Sequence, residues 1–236
     1  MKISSVIWDY DGTLADTRQK NLNVTKAILT KIIGDFDIEN SVLNSISNYE
    51  QANTRSANWR DLYKKEFGLN ERQIDAAGKM WTKVQSMDDT DVQLFPGIDY
   101  TVQKLSEYPQ GIVSQNSSGI IKSNLERYRL KKYFGHIIGY EEVELKKQKP
   151  DPDGLLTCIS RLSDLTNNHS VVYIGDHITD IECAHNANEW SGRNTVVSIL
   201  LNNNGQNEIK DWKFRPDYVA GRPQDIPEII IKITNT

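Results

Sequence analysis

Short, continuous apolar runs recur along the chain, and each ends in polar residues or in a turn that contains glycine. Runs of this kind, rich in β-branched residues, are typical of strands that are buried on both faces, as in a parallel sheet. They occupy residues 5–8, 111–113, 137–140, 171–174 and 196–201, with a weaker sixth run at 216–220. The pattern therefore predicts a sheet whose two faces are both covered.

Segments with helical spacing of apolar residues lie between these runs. One follows the start signal at 116–118, a second follows the acidic, proline-containing segment 151–153, and a third follows Thr179 and Asp180. Strands that alternate with helices build βαβ units. We therefore predict an α/β fold with a doubly wound, Rossmann-like and mostly parallel sheet.

One long stretch breaks this alternation. Residues 16–92 contain several helical patterns and no convincing strand, and they are far longer than a βα connection, which typically has ~2–6 residues. We predict that 16–92 form an all-helical domain, inserted into an α/β core domain made of 1–15 and 93–236.

Composition excludes several classes of protein. With 28 Lys and Arg against 32 Asp and Glu, the net charge of −4 offers no general basic surface for nucleic acid. No apolar run approaches the ~18 residues of a membrane span, and the apolar N-terminal stretch is too short for a signal peptide. The two cysteines, Cys158 and Cys183, are too few for a disulfide framework and are expected to be buried thiols. We expect a cytoplasmic protein without nucleic-acid or membrane partners, and the sequence leaves its oligomeric state open.

The polar residues that close each predicted strand are the candidates for chemistry, because ligands bind at the carboxyl ends of the strands in doubly wound sheets. The first strand ends in Asp9 and Asp11, whose side chains leave an extended backbone on the same side. Neighbouring carboxylates repel each other unless a cation intervenes, and Mg²⁺ prefers oxygen ligands. Gly12 permits the sharp turn that would aim both acids inward. On spacing alone, a metal site and an Asp-Gly turn with solvated acids are about equally good interpretations.

The second and third strand ends offer donors to an anion. Ser114 precedes a helix start, and it is a better phosphate-binding candidate than Ser117 or Ser118, which are favoured as ordinary helix N-caps. Lys149 is followed by prolines that stiffen the chain, so it should be better ordered than the other lysines of that segment. Its ammonium could stabilise a site made of carboxylates and a phosphate.

The fourth strand end supplies two more acids. Asp176 could complete a metal site, and Asp180 could orient Lys149 or a metal-bound water, or simply favour the start of a helix. His177 has no second histidine at ligand spacing, so we interpret it as a neighbour of the site and not as a zinc ligand.

Taken together, these four strand ends resemble the four motifs of the haloacid dehalogenase superfamily, in their order and in their spacing. The matching residues are Asp9-Tyr10-Asp11-Gly12-Thr13-Leu14, Ser114, Lys149-Pro150, and Gly175-Asp176 with Asp180. The helical insertion resembles the cap of the phosphoglycolate phosphatase and β-phosphoglucomutase branches. Gln115 departs from the family pattern, in which Asn often follows the motif serine, and Asn188 and Glu189 replace a common Ala-Gly.

The resemblance implies a two-step phosphoryl transfer. Asp9 would be the nucleophile and Asp11 the general acid and base, while Ser114 and Lys149 would bind the phosphoryl oxygens. Mg²⁺ would be held by Asp9, by Asp11 through its backbone carbonyl, and by Asp176, with Asp180 supporting this group from outside the ligand set.

The function that follows from the resemblance is a Mg²⁺-dependent phosphatase of a small phosphorylated metabolite. The alternatives are a sugar phosphomutase similar to β-phosphoglucomutase and a binding protein without turnover on the same fold. Dehalogenase activity is disfavoured, because dehalogenating relatives lack the second acid and the metal. Some polar or aromatic residues of the insertion could reach a ligand, although a charged helix face with the tryptophan in the core is the favoured interpretation; these are Arg18, Arg55, Asn58, Trp59 and Arg60.

Overall fold

A computed structural model of the chain describes residues 2–34, 37–39, 41–56, 58–162, 169–192, 195–203 and 209–235. The chain divides into two compact units, one formed by Met1–Ala15 with Leu94–Thr236 and the other by Asp16–Gln93. Each unit has its own hydrophobic core. None of the helices in the described residues is both long enough and apolar enough to cross a membrane.

Eight strands are present in the described residues. They are β1 (Lys2–Trp8), β2 (Ala15–Asp16), β3 (Gln93–Leu94), β4 (Gln110–Val113), β5 (Phe134–Ile138), β6 (His169–Gly175), β7 (Val196–Leu201) and β8 (Tyr218–Ala220). Six of them form one sheet in the order β5-β4-β1-β6-β7-β8, and every neighbouring pair is parallel. The short β2 and β3 pair with each other. All six runs predicted as strands lie in the large sheet, so the predicted fold class is confirmed.

Nine α-helices complete the described structure. They are α1 (Arg18–Ile33), α2 (Ile46–Arg55), α3 (Trp59–Phe67), α4 (Glu71–Met87), α5 (Ile98–Lys104), α6 (Ser118–Arg127), α7 (Asp153–Leu162), α8 (Ile178–Ser191) and α9 (Ile226–Thr234). The sequence patterns did not predict α2, α5 or α9. In α2, only Tyr49 and Ala52 are buried and the remaining residues are mostly polar, which leaves little apolar periodicity to detect.

The core of the α/β unit joins the sheet to two of these helices. Residues of α7 and α8 pack with β1, β4 and β6 in one buried cluster that includes Ile7, Val113 and Tyr173. Cys158 on α7 and Cys183 on α8 belong to this cluster, and both are free thiols, as predicted. Residues 5–8 of β1 are fully buried, as expected for a strand with both faces covered.

The helical unit has a separate core, built from the apolar residues of α1 to α4. Its buried residues include Leu22, Ile28, Leu62 and Ile74, which lie on the inner faces of α1, α3 and α4. Their burial removes apolar surface from water at roughly 25 cal/mol per Å², which is the main force that holds these short helices together.

A capping box begins α4, and it gives a test of the helical unit. Asn70 Oδ1 accepts a hydrogen bond from the backbone N–H of Gln73 at 3.1 Å, and Gln73 Oε1 accepts one from the backbone N–H of Asn70 at 3.0 Å. Replacing Asn70 by Ala should lower the free energy of unfolding by about 1 kcal/mol, because the backbone N–H of Gln73 in the first turn of the helix loses its partner. Urea unfolding followed by circular dichroism measures this change.

The matched control for this prediction is Asn70→Asp, which keeps an acceptor at the same position. It should cost only a few tenths of a kcal/mol. An Asp variant as unstable as the Ala variant would show that the capping bond does not stabilise α4.

Candidate active site

The register of the sheet brings three strand ends to one edge. Trp8 at the end of β1 pairs with Ile112 of β4 on one side and with Ile174 of β6 on the other. Asp9 follows β1 directly, and its backbone N–H donates to the carbonyl of Ile174 at 2.7 Å. The polar residues that follow these strands are therefore neighbours, although they are far apart in the sequence.

A buried ammonium joins two of the predicted acids. Lys149 Nζ donates to Asp9 Oδ1 and to Asp180 Oδ1, each at 2.6 Å. Only 9% of Lys149, 5% of Asp9 and 1% of Asp180 is exposed to solvent. A buried charge is costly unless it is paired, so each of these residues depends on the other two.

Asp180 is held rigidly by further donors. The Tyr173 hydroxyl donates to Asp180 Oδ1 at 3.0 Å, and the backbone N–H of His177 donates to Oδ2 at 3.1 Å. Burial, and then Asp180 itself, raise the pKa of Tyr173 well above its usual value, so the phenol keeps the proton that it donates. A side chain on Gly175 would overlap the Asp180 carboxylate, which explains why glycine precedes Asp176. The predicted contact of Asp180 with Lys149 is present in the structure.

Asp176 is positioned by the loop that follows β1. The hydroxyl of Thr13 donates to Asp176 Oδ1 at 2.8 Å. Gly12 has a φ of +79°, and a Cβ atom there would overlap the Asp176 carboxylate. Glycine is therefore required at position 12 for its backbone conformation and for this close approach.

Three carboxylates form a group that could hold a metal ion. One oxygen from each of Asp9, Asp176 and Asp180 lies within 4.8 Å of the other two. A donor set made only of oxygen suits a hard divalent cation. His177 is outside this group, and its ring nitrogen instead accepts from the N–H of Thr179 at the start of α8, at 3.3 Å.

The carboxylate of Asp11 has different partners from that of Asp9. The side-chain amide of Asn116 donates to Asp11 Oδ1 at 3.0 Å, and Ser114 Oγ lies 3.4 Å from Oδ2. The predicted neighbours Asp11 and Ser114 are thus brought together, and the structure gives the two acids of the first motif separate environments.

The start of α6 corrects one prediction. Ser117 occupies the N-cap position, but its side chain makes no capping hydrogen bond. The backbone N–H of Ser117 instead donates to Asn116 Oδ1 at 2.7 Å. The backbone N–H of Ser118 donates to a carboxylate oxygen of Glu141 at 3.1 Å. A charged carboxylate makes a stronger hydrogen bond than a hydroxyl, and Glu141 comes from a distant turn that local sequence does not reveal.

The charges of the site do not balance among its own side chains. The pKa of Asp9 is raised to about 7, chiefly by burial; Lys149 opposes this rise, while Asp180 and Asp11 add to it. Burial by itself would lower the pKa of Lys149, but Asp180 and Asp9 raise it above its ordinary value, so the ammonium stays charged. One ammonium faces several carboxylates, and an added cation would relieve their repulsion.

Two departures from the family pattern have structural roles. Gln115 Nε2 donates to the backbone carbonyl of Lys149 at 3.2 Å, which ties the lysine segment to the end of β4. The Asn188 side chain bonds to the backbone of Thr195 and Val196, so it connects α8 to the start of β7. Glu189 is exposed on α8.

Three residues that hold the site in place carry no local sequence signal of that role. Thr13 lies within a motif, Asn116 within a helix start, and Tyr173 within an apolar strand. The acceptors of Thr13 and Asn116 are 163 and 105 positions away in the chain, and the acceptor of Tyr173 lies beyond the end of its own strand.

The five residues of the helical unit that were candidates for contacting a ligand all contact other residues of that unit. This agrees with the favoured interpretation, a charged helix face with the tryptophan in the core. Arg18 pairs with Asp16, Arg55 with Glu66, and Arg60 with Glu71 and Asp75, while Asn58 caps α3 and Trp59 packs edge-to-face on Tyr63. Trp59 also packs against the core of the unit.

Comparison with known proteins identifies the family. The model of the haloacid dehalogenase-like hydrolases matches residues 6–190, which contain all the motif residues described above. The chain belongs to this family. This membership confirms the resemblance to the haloacid dehalogenase superfamily and the prediction that the chain is a hydrolase of that family.

Similar proteins span nearly the whole chain. The pyrophosphatase PpaX of Listeria innocua is 24% identical, with 97% of each chain aligned. A phosphoglycolate phosphatase of Salmonella typhi is 27% identical over 77% of each chain. Among solved structures, a Lactobacillus plantarum protein assigned as a phosphoglycolate phosphatase has a TM-score of 0.76 at 21% identity, covering 97% of this chain and 100% of its own. This structural similarity supports the assignment of the fold.

The buried Lys149 should be essential for stability. Replacing it by Met leaves Asp9 and Asp180 buried without their cation, so the free energy of unfolding should fall by about 3–5 kcal/mol. The measurement is urea unfolding at pH 7 in the presence of a chelator, so that no metal ion compensates for the missing ammonium.

The control is Lys147→Met, two residues earlier. Lys147 is 48% exposed and its Nζ lies 3.6 Å from Asp153 Oδ1, so its loss should cost less than about 1 kcal/mol. Adding Asp180→Asn to Lys149→Met should recover part of the lost stability. Equal effects of the two Met variants would contradict the structural role assigned to the buried ammonium.

Proposed function

We propose that this haloacid dehalogenase-like hydrolase is a Mg²⁺-dependent phosphatase, which hydrolyses a small phosphorylated metabolite through an aspartyl-phosphate. The observation that carries the proposal is the set of contacts around Asp9: a buried ammonium at 2.6 Å and two further carboxylates within 4.8 Å. A second acid, Asp11, contacts Ser114 beside them. The names of two relatives, a pyrophosphatase and a phosphoglycolate phosphatase, support hydrolysis at phosphorus.

We assign the metal to Asp9 and Asp176 through their carboxylates and to Asp11 through its backbone carbonyl. Asp180 also lies in the acidic group, but its oxygens already accept from Lys149, Tyr173 and His177, so we assign it to positioning. When bound, Mg²⁺ would neutralise the charge that develops on the phosphoryl oxygens.

In the first step, a carboxylate oxygen of Asp9 attacks the phosphorus and the bond to the ester oxygen breaks. The carboxylic acid of Asp11 donates its proton to that oxygen, so the product leaves as a neutral alcohol. Ser114 Oγ and Lys149 Nζ donate to the phosphoryl oxygens during the transfer.

In the second step, the carboxylate of Asp11 takes a proton from a water molecule, which attacks the phosphorus of the aspartyl-phosphate. Inorganic phosphate leaves, Asp9 is again a carboxylate, and Asp11 is again an acid. The same two side chains therefore complete the cycle without any other proton carrier.

Substrate choice belongs to the same proposal. We assign the helical domain, 16–92, to the role of a cap that selects the leaving group and excludes bulk water. We also assign the enzyme to the cytoplasm, as the cysteine content predicts.

A panel of phosphorylated metabolites with Mg²⁺, together with 4-nitrophenyl phosphate, tests the proposed activity. Free phosphate should appear, a chelator should abolish its release, and added Mg²⁺ should restore it. Asp9→Asn should lower kcat/KM by at least about 10³-fold, because it removes the nucleophile.

The control for Asp9→Asn is Asp99→Asn, the same substitution at an exposed position on α5, which should retain full activity. Phosphate release that survives in Asp9→Asn, or no release from any ester, would contradict the proposal. An isomerised sugar phosphate in place of free phosphate would identify a phosphomutase.

A further inference from the structure

Every polar group of Asn116 is used in the loop that follows β4. Its backbone N–H donates to Ser114 Oγ at 3.1 Å, and its carbonyl accepts from the N–H of Tyr140 at 3.1 Å. Its side-chain oxygen accepts from the N–H of Ser117 at 2.7 Å, and its side-chain nitrogen donates to Asp11 Oδ1 at 3.0 Å. Asn116 is 3% exposed, so the residue is buried and is fixed by four hydrogen bonds.

These contacts determine which way the Asn116 amide points. The backbone N–H of Ser117 can only donate, so the side-chain atom that faces it must be the oxygen. The nitrogen of the amide therefore faces Asp11, where it can only donate. An exchange of the two atoms would place two donors together at Ser117 and two acceptors together at Asp11.

The fixed amide in turn holds the carboxyl group of Asp11 in one orientation. Asn116 Nδ2 donates to Oδ1 at 3.0 Å, and the hydroxyl of Ser114, to which we assign phosphoryl binding, donates to Oδ2 at 3.4 Å. An amide nitrogen can only donate, whereas a hydroxyl can donate or accept, so Asn116 is the partner that fixes which oxygen of Asp11 faces Ser114.

We propose that Asn116 is a positioning residue for the general acid. Its amide holds Asp11 Oδ1 and so keeps the carboxyl group turned with Oδ2 toward Ser114, on the side where we assign phosphoryl binding. The inference rests on the proposed phosphatase function, and it assigns a role to a residue outside the four motifs. Asn116 touches Asp11 and acts through it.

The dependence of the rate on the leaving group tests this role. An alkyl phosphate needs a proton on its leaving oxygen, whereas 4-nitrophenolate leaves without one. Asn116→Ala should therefore lower kcat/KM for an alkyl phosphate by about 10- to 100-fold, and for 4-nitrophenyl phosphate by less than about 3-fold. Since kcat/KM reports only the steps up to release of the leaving group, the later hydrolysis does not affect the comparison.

A second variant separates this role from the hydrogen bond at the start of α6. Asn116→Ser keeps a small acceptor next to the N–H of Ser117, but its side chain is too short to reach Asp11. It should show the same selective loss as the Ala variant. Ser117→Ala removes a side chain that makes no capping bond, and it should leave the ratio of the two kcat/KM values unchanged.

The outcomes distinguish this inference from the function on which it rests. Equal losses on both substrates in the two Asn116 variants would overturn the positioning role while leaving the phosphatase proposal intact. A wild-type enzyme that hydrolyses neither ester would overturn the phosphatase function and, with it, the role of Asn116. A selective loss on the alkyl phosphate supports both.

Discussion

The contact of one buried ammonium with two buried carboxylates is the interaction on which the rest of the α/β unit depends. Lys149 Nζ lies 2.6 Å from an oxygen of Asp9 and 2.6 Å from an oxygen of Asp180. Burying any one of these three charges without the others would cost too much free energy of desolvation. The end of β1, the segment of Lys149 before α7, and the start of α8 must therefore meet at one point. In this unit, the contacts that stabilise the fold therefore also assemble the site.

The surrounding loops are shaped by the same requirement. Gly12 and Gly175 leave room for the carboxylates of Asp176 and Asp180, in places where any other residue would overlap them. Thr13 and Tyr173 then hold these carboxylates in place by hydrogen bonds. The acidic group keeps an excess of negative charge, which a divalent cation and the ammonium together would balance.

Most of the sheet and of the acidic group was predictable from the sequence, because both depend on local signals. Continuous apolar runs mark buried parallel strands, and the residues that follow them must share one edge. Contacts between distant segments were not predictable: Glu141 binds the start of α6 in place of a serine hydroxyl, and Asn116 binds Asp11 across 105 positions of the chain. Local sequence identifies a donor or an acceptor, but only the fold supplies its partner.

The proposal that Asp9 carries the phosphoryl group between the two steps can be tested directly. The Asp11→Asn variant is mixed with 4-nitrophenyl phosphate and Mg²⁺, quenched in acid during turnover, and mapped by mass spectrometry. This variant lacks the base for the second step, so a phosphoryl group should accumulate on the peptide that contains Asp9 and nowhere else. The absence of a covalent phosphoryl group, or its presence on another residue, would contradict the mechanism.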